Sequence, residues 1–263
     1  MPRPSNSGSA RRGRPGSAGA ARRDGGDRRR GEHREAPKQP STPPARRPWS
    51  AEGDLPRWLS DELSRVTSKH NLRGATELLQ AAAKSFAAGR HGKALKEAEQ
   101  AKDLSPRDAT IRELIGLSAY RLGRWDIALR ELKTFRRLTG DSTHMPVEMD
   151  ALRALERPED VETTWTAFQR IGGDRATRDE AKVVYASFLL DRGEDRKAWQ
   201  VSGPKKMLGS PTESELRVWY VAARAAHRLG DLQTARRIYE AIERADAAFP
   251  GLDELDRLTA SHP

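Results

Sequence analysis

Residues 75–108 read ATELLQAAAKSFAAGRHGKALKEAEQAKDLSPRD, and residues 109–142 read ATIRELIGLSAYRLGRWDIALRELKTFRRLTGDS. An offset of 34 residues places a Gly-x₄-Ala unit at the same point of both segments. A repeat of this length indicates a helical hairpin that is copied and stacked. The Gly lets the chain leave the first helix in the left-handed conformation without strain at Cβ. Small residues at the helix crossing allow two antiparallel helices to approach closely.

The same pattern predicts three further copies of this hairpin. The copy at 216–249 matches best, and the copy at 179–215 is expected to lose the end of its second helix at Gly203-Pro204. The copy at 142–178 is degenerate, because Glu156 replaces the Gly and the bulky Met149 and Val161 replace the small pair. We expect these two side chains to separate the helices of that hairpin, with more local opening there than in the first two copies.

The small–Gly–small–aromatic pattern resembles the tetratricopeptide repeat (TPR) superfamily. The resemblance implies an all-α fold, a TPR-type α-solenoid, which is a right-handed superhelix of about five helical hairpins with capping helices at both ends. We expect the caps at Leu55–Val66 and after Pro250-Gly251. Thr212 with Glu215, and Thr177 with Glu180, have the spacing of capping boxes at helix starts. An ordinary amphipathic helical bundle remains an alternative.

Residues 1–48 form a separate region, an Arg/Gly/Pro-rich basic tail that precedes the repeat domain at 49–263. The tail contains no Val, Ile, Leu, Phe, Trp or Tyr, and its 13 Lys and Arg against 4 Asp and Glu give it a charge of +9. Because such a segment buries too little apolar surface to offset the ordering entropy, we expect it to be disordered. The segment Arg12-Gly13-Arg14-Pro15 resembles the core of an AT-hook, which binds the minor groove of DNA.

Several classes of protein are disfavoured by the sequence. The N-terminus lacks the apolar segment of a secretory signal, no apolar run approaches the ~20 residues of a membrane span, and the chain has no cysteine. We therefore expect a cytoplasmic protein without a membrane partner. The six histidines are scattered and no catalytic or phosphate-binding motif occurs. These features predict that the chain is not an enzyme and takes no cofactor, metal or small-molecule substrate.

In the TPR family the first helices of successive repeats line a concave groove, and the resemblance therefore implies a partner site there. Its position in each copy corresponds to Leu79, Phe86, Glu113, Leu117, Tyr120, Arg121, Arg217, Tyr220, Arg224, His227 and Arg228, with the small residues Thr76, Ala83, Ala87 and Thr110 beside them. The groove would change from apolar at one end to basic at the other, which favours a protein or peptide ligand with an acidic end. Use of another face remains an alternative.

Two functions follow from these features. The first is a protein–protein interaction scaffold that binds its partner in the groove. The second is a nucleic-acid- or ribosome-associated protein, in which the tail contacts phosphates non-specifically and the repeats recruit a partner. The arginines expected to make those contacts are Arg11, Arg12, Arg14, Arg22, Arg23, Arg28, Arg29 and Arg30.

Overall fold

The computed structural model describes residues 55–207 and 209–260, and within these residues the fold is all-α, with twelve helices and no strand. The helices are α1 (Arg57–Val66), α2 (Lys69–Ala87), α3 (His91–Leu104), α4 (Ala109–Arg121), α5 (Trp125–Thr139), α6 (Met145–Ala154), α7 (Pro158–Ile171), α8 (Arg175–Asp191), α9 (Asp195–Ser202), α10 (Glu213–Arg228), α11 (Leu232–Ala245) and α12 (Leu252–Thr259). None of the described helices is long and apolar enough to cross a membrane. The expectation of a disordered tail concerns residues outside the described part of the chain.

Helices α2 to α11 form five consecutive pairs, and a left-handed residue ends the first helix of each pair. Four of these residues are the glycines of the Gly-x₄-Ala units, Gly89, Gly123, Gly193 and Gly230, with φ between 69° and 79°. In the third pair Glu156 occupies the same place with φ 54°, and it is the one non-glycine residue with positive φ in the described chain. The turn geometry is therefore the same in all five pairs, although only glycine adopts it without strain.

The crossing between the paired helices is close where the sequence provides small residues. A Cβ added to Gly116 of α4 would lie 2.6 Å from Leu132 Cγ of α5, well inside van der Waals contact. In the third pair Met149 and Val161 fill the equivalent positions, and both are completely buried. Helices α6 and α7 remain packed, but their contact is less extensive than that between α4 and α5.

The fourth pair is cut short, as the sequence predicts. Helix α9 ends at Ser202, directly before Gly203-Pro204. The capping box at the start of α10 is present, because Thr212 and Glu215 bond each other's backbone N–H. The other predicted capping box is wrong, since Asp174 caps α8 by accepting a hydrogen bond from the backbone N–H of Thr177 at 2.7 Å. An aspartate is as good an N-cap as threonine, and it comes three residues earlier.

Helices α1 and α12 lie at the two ends of the row of pairs. Helix α1 packs on α2 and buries Leu59 and Leu63, while Trp58 and Val66 of the same predicted apolar stripe remain exposed. Helix α12 packs on both α10 and α11, with Leu255 fully buried. Each end helix therefore covers apolar surface of the adjoining pair.

Two buried carboxylates connect neighbouring pairs. Glu131 of α5 has no exposed side-chain surface, and it accepts hydrogen bonds from Arg112 Nη1 at 2.6 Å, Arg130 Nε at 3.0 Å and Lys102 Nζ at 3.3 Å. Burial by itself raises the pKa of Glu131, but the hydrogen bonds and charges of these cations outweigh it and lower the pKa below its usual value. Glu148 of α6 is equally buried and accepts two hydrogen bonds from one edge of the Arg136 guanidinium, from Nε and Nη2.

Candidate functional site: the face formed by the first helices

The first helices of the five pairs, α2, α4, α6, α8 and α10, carry all the side chains predicted to contact a partner. Helix α2 packs on α4, α6 packs on α8, and α8 packs on α10. Helices α4 and α6 are joined by hydrogen bonds, including His144 Nε2 to Glu113 Oε1 at 2.7 Å. We use the term first-helix face for one surface of these five helices. It consists of the side chains that face away from the second helix of each pair.

At the N-terminal end, this face is less accessible than the sequence indicates. Leu79 is completely buried, in a cluster that includes Leu59 and Leu63 of α1. Ala83 and Thr110 are also buried. The expectation that Leu79 forms an apolar end of an open groove is therefore wrong, since this side chain belongs to the buried core. Phe86 is half-buried, with its ring 5.0 Å from that of His91.

At the centre of the face, a chain of polar contacts crosses three pairs. Tyr120 of α4 donates its hydroxyl to Asp150 Oδ2 of α6 at 2.5 Å, and Asp150 Oδ1 accepts from Arg153 Nη1 at 2.9 Å. Arg153 Nε then donates to Asp191 Oδ2 of α8 at 2.6 Å. We call these four residues the central network. Leu117, which precedes Tyr120 by one turn, is half-buried beside it on α4.

The central network raises the pKa of two of its members, Tyr120 and Arg153. Burial, followed by the hydrogen bond to Asp150, raises the pKa of Tyr120 well above its usual value, so the hydroxyl remains a donor at neutral pH. Burial lowers the pKa of Arg153, but the hydrogen bonds and charges of Asp191 and Asp150 outweigh this and raise it overall. The side chains are nevertheless reachable, because Arg153 is 36% and Asp191 54% exposed.

At the C-terminal end, the arginines predicted to form a basic surface are already paired with acids of this chain. Arg224 lies 3.3 Å from Glu254 of α12, and Arg228 lies 2.9 Å from Asp195 of α9. Tyr220 also donates to Glu254, at 2.6 Å, and burial together with this bond raises the pKa of Tyr220 to about 12.

Arg217 is paired in the same way, with Glu180 of α8 at 3.3 Å and with Glu213 at 3.2 Å. His227 is half-buried near the end of α10. The expected change from an apolar to a basic groove is therefore wrong at its basic end too. Apart from Glu213, which lies four residues before Arg217 in α10, the neutralising acids come from α8, α9 and α12, and their positions in the sequence do not show which arginine they meet.

Two predicted site residues of α4 differ in their surroundings. Glu113 is held by His144, whereas Arg121 is exposed and has no ion-pair partner among residues 55–207 and 209–260.

The predicted nucleic-acid contacts lie outside the described residues; they are Arg11, Arg12, Arg14, Arg22, Arg23, Arg28, Arg29 and Arg30. Within the described chain, no three His, Asp or Glu side chains are grouped so that they could hold a metal ion.

The sequence matches no family model, and it matches no curated protein. Any functional interpretation therefore depends on the residues and contacts of this chain.

Proposed function

We propose that this protein is an interaction scaffold of the TPR type, an α-solenoid whose first-helix face binds a protein or peptide partner. The proposal is supported by five consecutive helix pairs that share a left-handed turn and are covered by an additional helix at each end. Stacked helical hairpins of this kind present extended surfaces for binding. A cytoplasmic location and the absence of enzymatic activity remain predictions.

The central network is the observation that carries this proposal. It places a tyrosine, an arginine and two carboxylates from three successive pairs within hydrogen-bonding distance of one another, at a partly exposed position. Tyrosine and arginine are the side chains that most often dominate binding energy at protein interfaces. Because the acids hold Arg153 in place, a partner meets an ordered guanidinium and loses less entropy on binding.

The pairing of charges also revises the chemistry of the expected partner. An acidic peptide would have to displace Glu254 from Arg224 and Asp195 from Arg228 before it could use those arginines. The first-helix face therefore favours a partner that presents hydrogen-bond donors as well as acceptors, with an apolar side chain placed near Leu117 and Tyr120.

The chain offers a closely matched control for testing this site. Arg153 is 36% exposed and pairs with two acids of the first-helix face, whereas Arg236 is 42% exposed and pairs with Glu240 and Asp256 through the second helix α11. We expect Arg153→Ala to lower partner affinity by roughly tenfold or more. Arg236→Ala should leave the affinity within about twofold of the wild type, because it changes the same chemistry away from the site.

The measurement is the dissociation constant of a partner identified by co-purification with the full chain, together with a thermal melt of each variant. Tyr120→Phe provides a second, smaller change in the same network. If Arg236→Ala weakens binding while Arg153→Ala and Tyr120→Phe do not, the partner uses the second helices and the proposed site is wrong.

A further inference from the structure

The first two helix pairs share a turn that presents an arginine in the same way. Gly89-Arg90-His91 joins α2 to α3, and Gly123-Arg124-Trp125 joins α4 to α5. Arg90 N donates to Ser85 O and Arg124 N donates to Ala119 O, both at 2.9 Å, while the glycines have φ of 71° and 69°. Backbone hydrogen bonds therefore hold both turns in the same conformation. Because α2 packs on α4, the two arginines occupy equivalent places on neighbouring pairs.

Four cations at this place have no partner within the described chain. Arg90 and Arg124 are exposed, and so are Lys84 and Arg121 at the ends of α2 and α4. None of the four side chains makes a hydrogen bond or ion pair with any residue of 55–207 or 209–260. We call these four residues the basic edge. The exposed acid nearest in sequence, Asp126, also makes no ion pair with them.

The position of Arg90 and Arg124 is unfavourable for helix stability. Each is the N-cap residue of the following helix, and neither side chain makes a capping hydrogen bond. A cation at a helix N-terminus also opposes the helix dipole. At the equivalent place in the fifth pair, Asp231 caps α11 by accepting from Thr234 N at 3.0 Å.

The turns of the remaining pairs differ from the first two in charge. Glu194 stands at the equivalent place of the fourth pair and binds Arg192 and Lys197. In the third pair the arginine is kept, but Arg157 is paired with Asp160. Unpaired cations at these turns are thus confined to the first two pairs, where the chain forgoes a good N-cap and keeps the charge exposed. That combination favours a role in binding an anion over a role in stability.

We propose that the basic edge binds the phosphate backbone of single-stranded nucleic acid. Helices that pack on one another lie about 8–10 Å apart, and α2 packs on α4, so a strand that passes from one turn to the other has to span roughly that distance. A strand that follows the basic edge would pass the half-buried rings of His91 and Trp125, which come directly after Arg90 and Arg124. Cations that track the backbone beside aromatic rings are the common arrangement for binding single strands.

The test uses the full chain and a 20-nucleotide oligo(U) RNA, with oligo(dT) as a second probe. Since the Arg-rich residues 1–48 can also bind phosphates, Arg90→Gln/Arg124→Gln is made in two backgrounds. One is the wild type, and in the other Arg11, Arg12, Arg14, Arg22, Arg23, Arg28, Arg29 and Arg30 are all changed to Gln. In the second background we expect the affinity at low salt to fall by on the order of tenfold. The slope of log affinity against log salt concentration should become less steep by about 1.4, because each of the two lost phosphate contacts accounts for about 0.7.

The matched control is Arg137→Gln/Arg170→Gln, which removes the same charge. These two exposed arginines lie in the last turns of the second helices α5 and α7, whereas Arg90 and Arg124 lie at the starts of second helices. The control should keep its affinity and its salt slope. Equal losses in both double variants would show that only net charge matters, and unchanged binding in Arg90→Gln/Arg124→Gln would show that the basic edge makes no contact. Either result overturns the proposal, as would equally tight binding of poly-glutamate, which would indicate an acidic protein partner.

A second variant separates binding from folding. Arg90→Asp/Arg124→Asp introduces the N-cap residue that α11 has, and its melting temperature should therefore equal or exceed that of the wild type. Its affinity for oligo(U) should fall further than that of the Gln variant, because the charge is reversed. A melting temperature that drops together with the affinity would assign these arginines a structural role and contradict the proposal.

Discussion

The second and third helix pairs have the same turn geometry, but the side chains at their helix crossings differ in size. In the second pair Gly116 leaves space that Leu132 of α5 fills. In the third pair the side chains of Met149 and Val161 occupy the crossing themselves, both completely buried. The comparison shows that two pairs with the same left-handed turn pack their crossings differently, one with a small residue beside a leucine and the other with two larger side chains.

The two pairs also differ in how they are connected to the preceding pair. Glu131 in the second pair binds three cations from α3, α4 and α5, whereas Glu148 in the third pair has Arg136 as its one cationic partner among the described residues. A buried charge is tolerated where several hydrogen bonds compensate for its desolvation. The second pair should therefore be the more sensitive of the two to loss of its buried charge.

The largest effect should come from adding bulk at the second crossing. Because even a Cβ at position 116 would lie 2.6 Å from Leu132 Cγ, we expect Gly116→Leu to destabilise the protein by about 3 kcal/mol, the upper end for overpacking. Met149→Leu in the third pair is the matched control, and as a swap of similar volume it should cost less than about 1.5 kcal/mol. Urea unfolding would measure both. A wild-type midpoint for Gly116→Leu would show that the second crossing is not tightly packed.

The next effect concerns the buried charge of the second pair. The lowered pKa of Glu131 means that its contribution to stability is present above the unfolded-state value of 4.5 and is lost as the pH falls through the lower folded-state value. We expect Glu131→Gln to destabilise the protein by roughly 2 kcal/mol at pH 7, because hydrogen bonds to a charged group are replaced. The variant should also lose less stability than the wild type when the pH is lowered below 4.5.

Unfolding free energies measured from pH 7 to pH 3 would test this expectation. Glu159→Gln is the control, since Glu159 is exposed and its carboxylate has no partner in the described residues; its effect should stay within about 0.5 kcal/mol. If Glu131→Gln and the wild type had parallel pH profiles, the buried carboxylate would not be the source of the acid sensitivity.

Local signals in the sequence located the helices, and the contacts between distant helices could not be read in the same way. Gly123 and Gly203-Pro204 predict where α4 and α9 end, because glycine and proline act on the backbone at their own positions. The capping role of Asp174 was missed because a threonine three residues later has the same chemistry.

The candidate site was the less predictable part. The position of Arg224 on its helix indicated exposure, but nothing nearby in sequence indicated that Glu254, thirty residues later, would neutralise it. Leu79 likewise matched a groove position, and only its place in a cluster of buried side chains shows that it is covered. The unfavourable N-cap arginines Arg90 and Arg124 were visible in the sequence, since an Asp occupies the equivalent place in the last copy, but their lack of partners required the structure.

The smallest effect should be a gain in stability at the turn of the third pair. Glu156 has φ 54°, and a left-handed conformation costs a non-glycine residue roughly 1–2 kcal/mol, part of which glycine gives back through its greater entropy when unfolded. We therefore expect Glu156→Gly to stabilise the protein by about 0.5–1 kcal/mol, whereas Glu156→Ala, which keeps the Cβ, should leave stability nearly unchanged.

The reverse change in the second pair, Gly123→Ala, should destabilise by about 1 kcal/mol. Its Cβ would meet no atom closer than Trp125 Cζ2 at 3.6 Å, an ordinary contact, so the loss would measure the backbone alone. Urea unfolding of the three variants gives the comparison directly: if Glu156→Ala gained as much as Glu156→Gly, the carboxylate rather than the backbone would be responsible for the strain in the third pair.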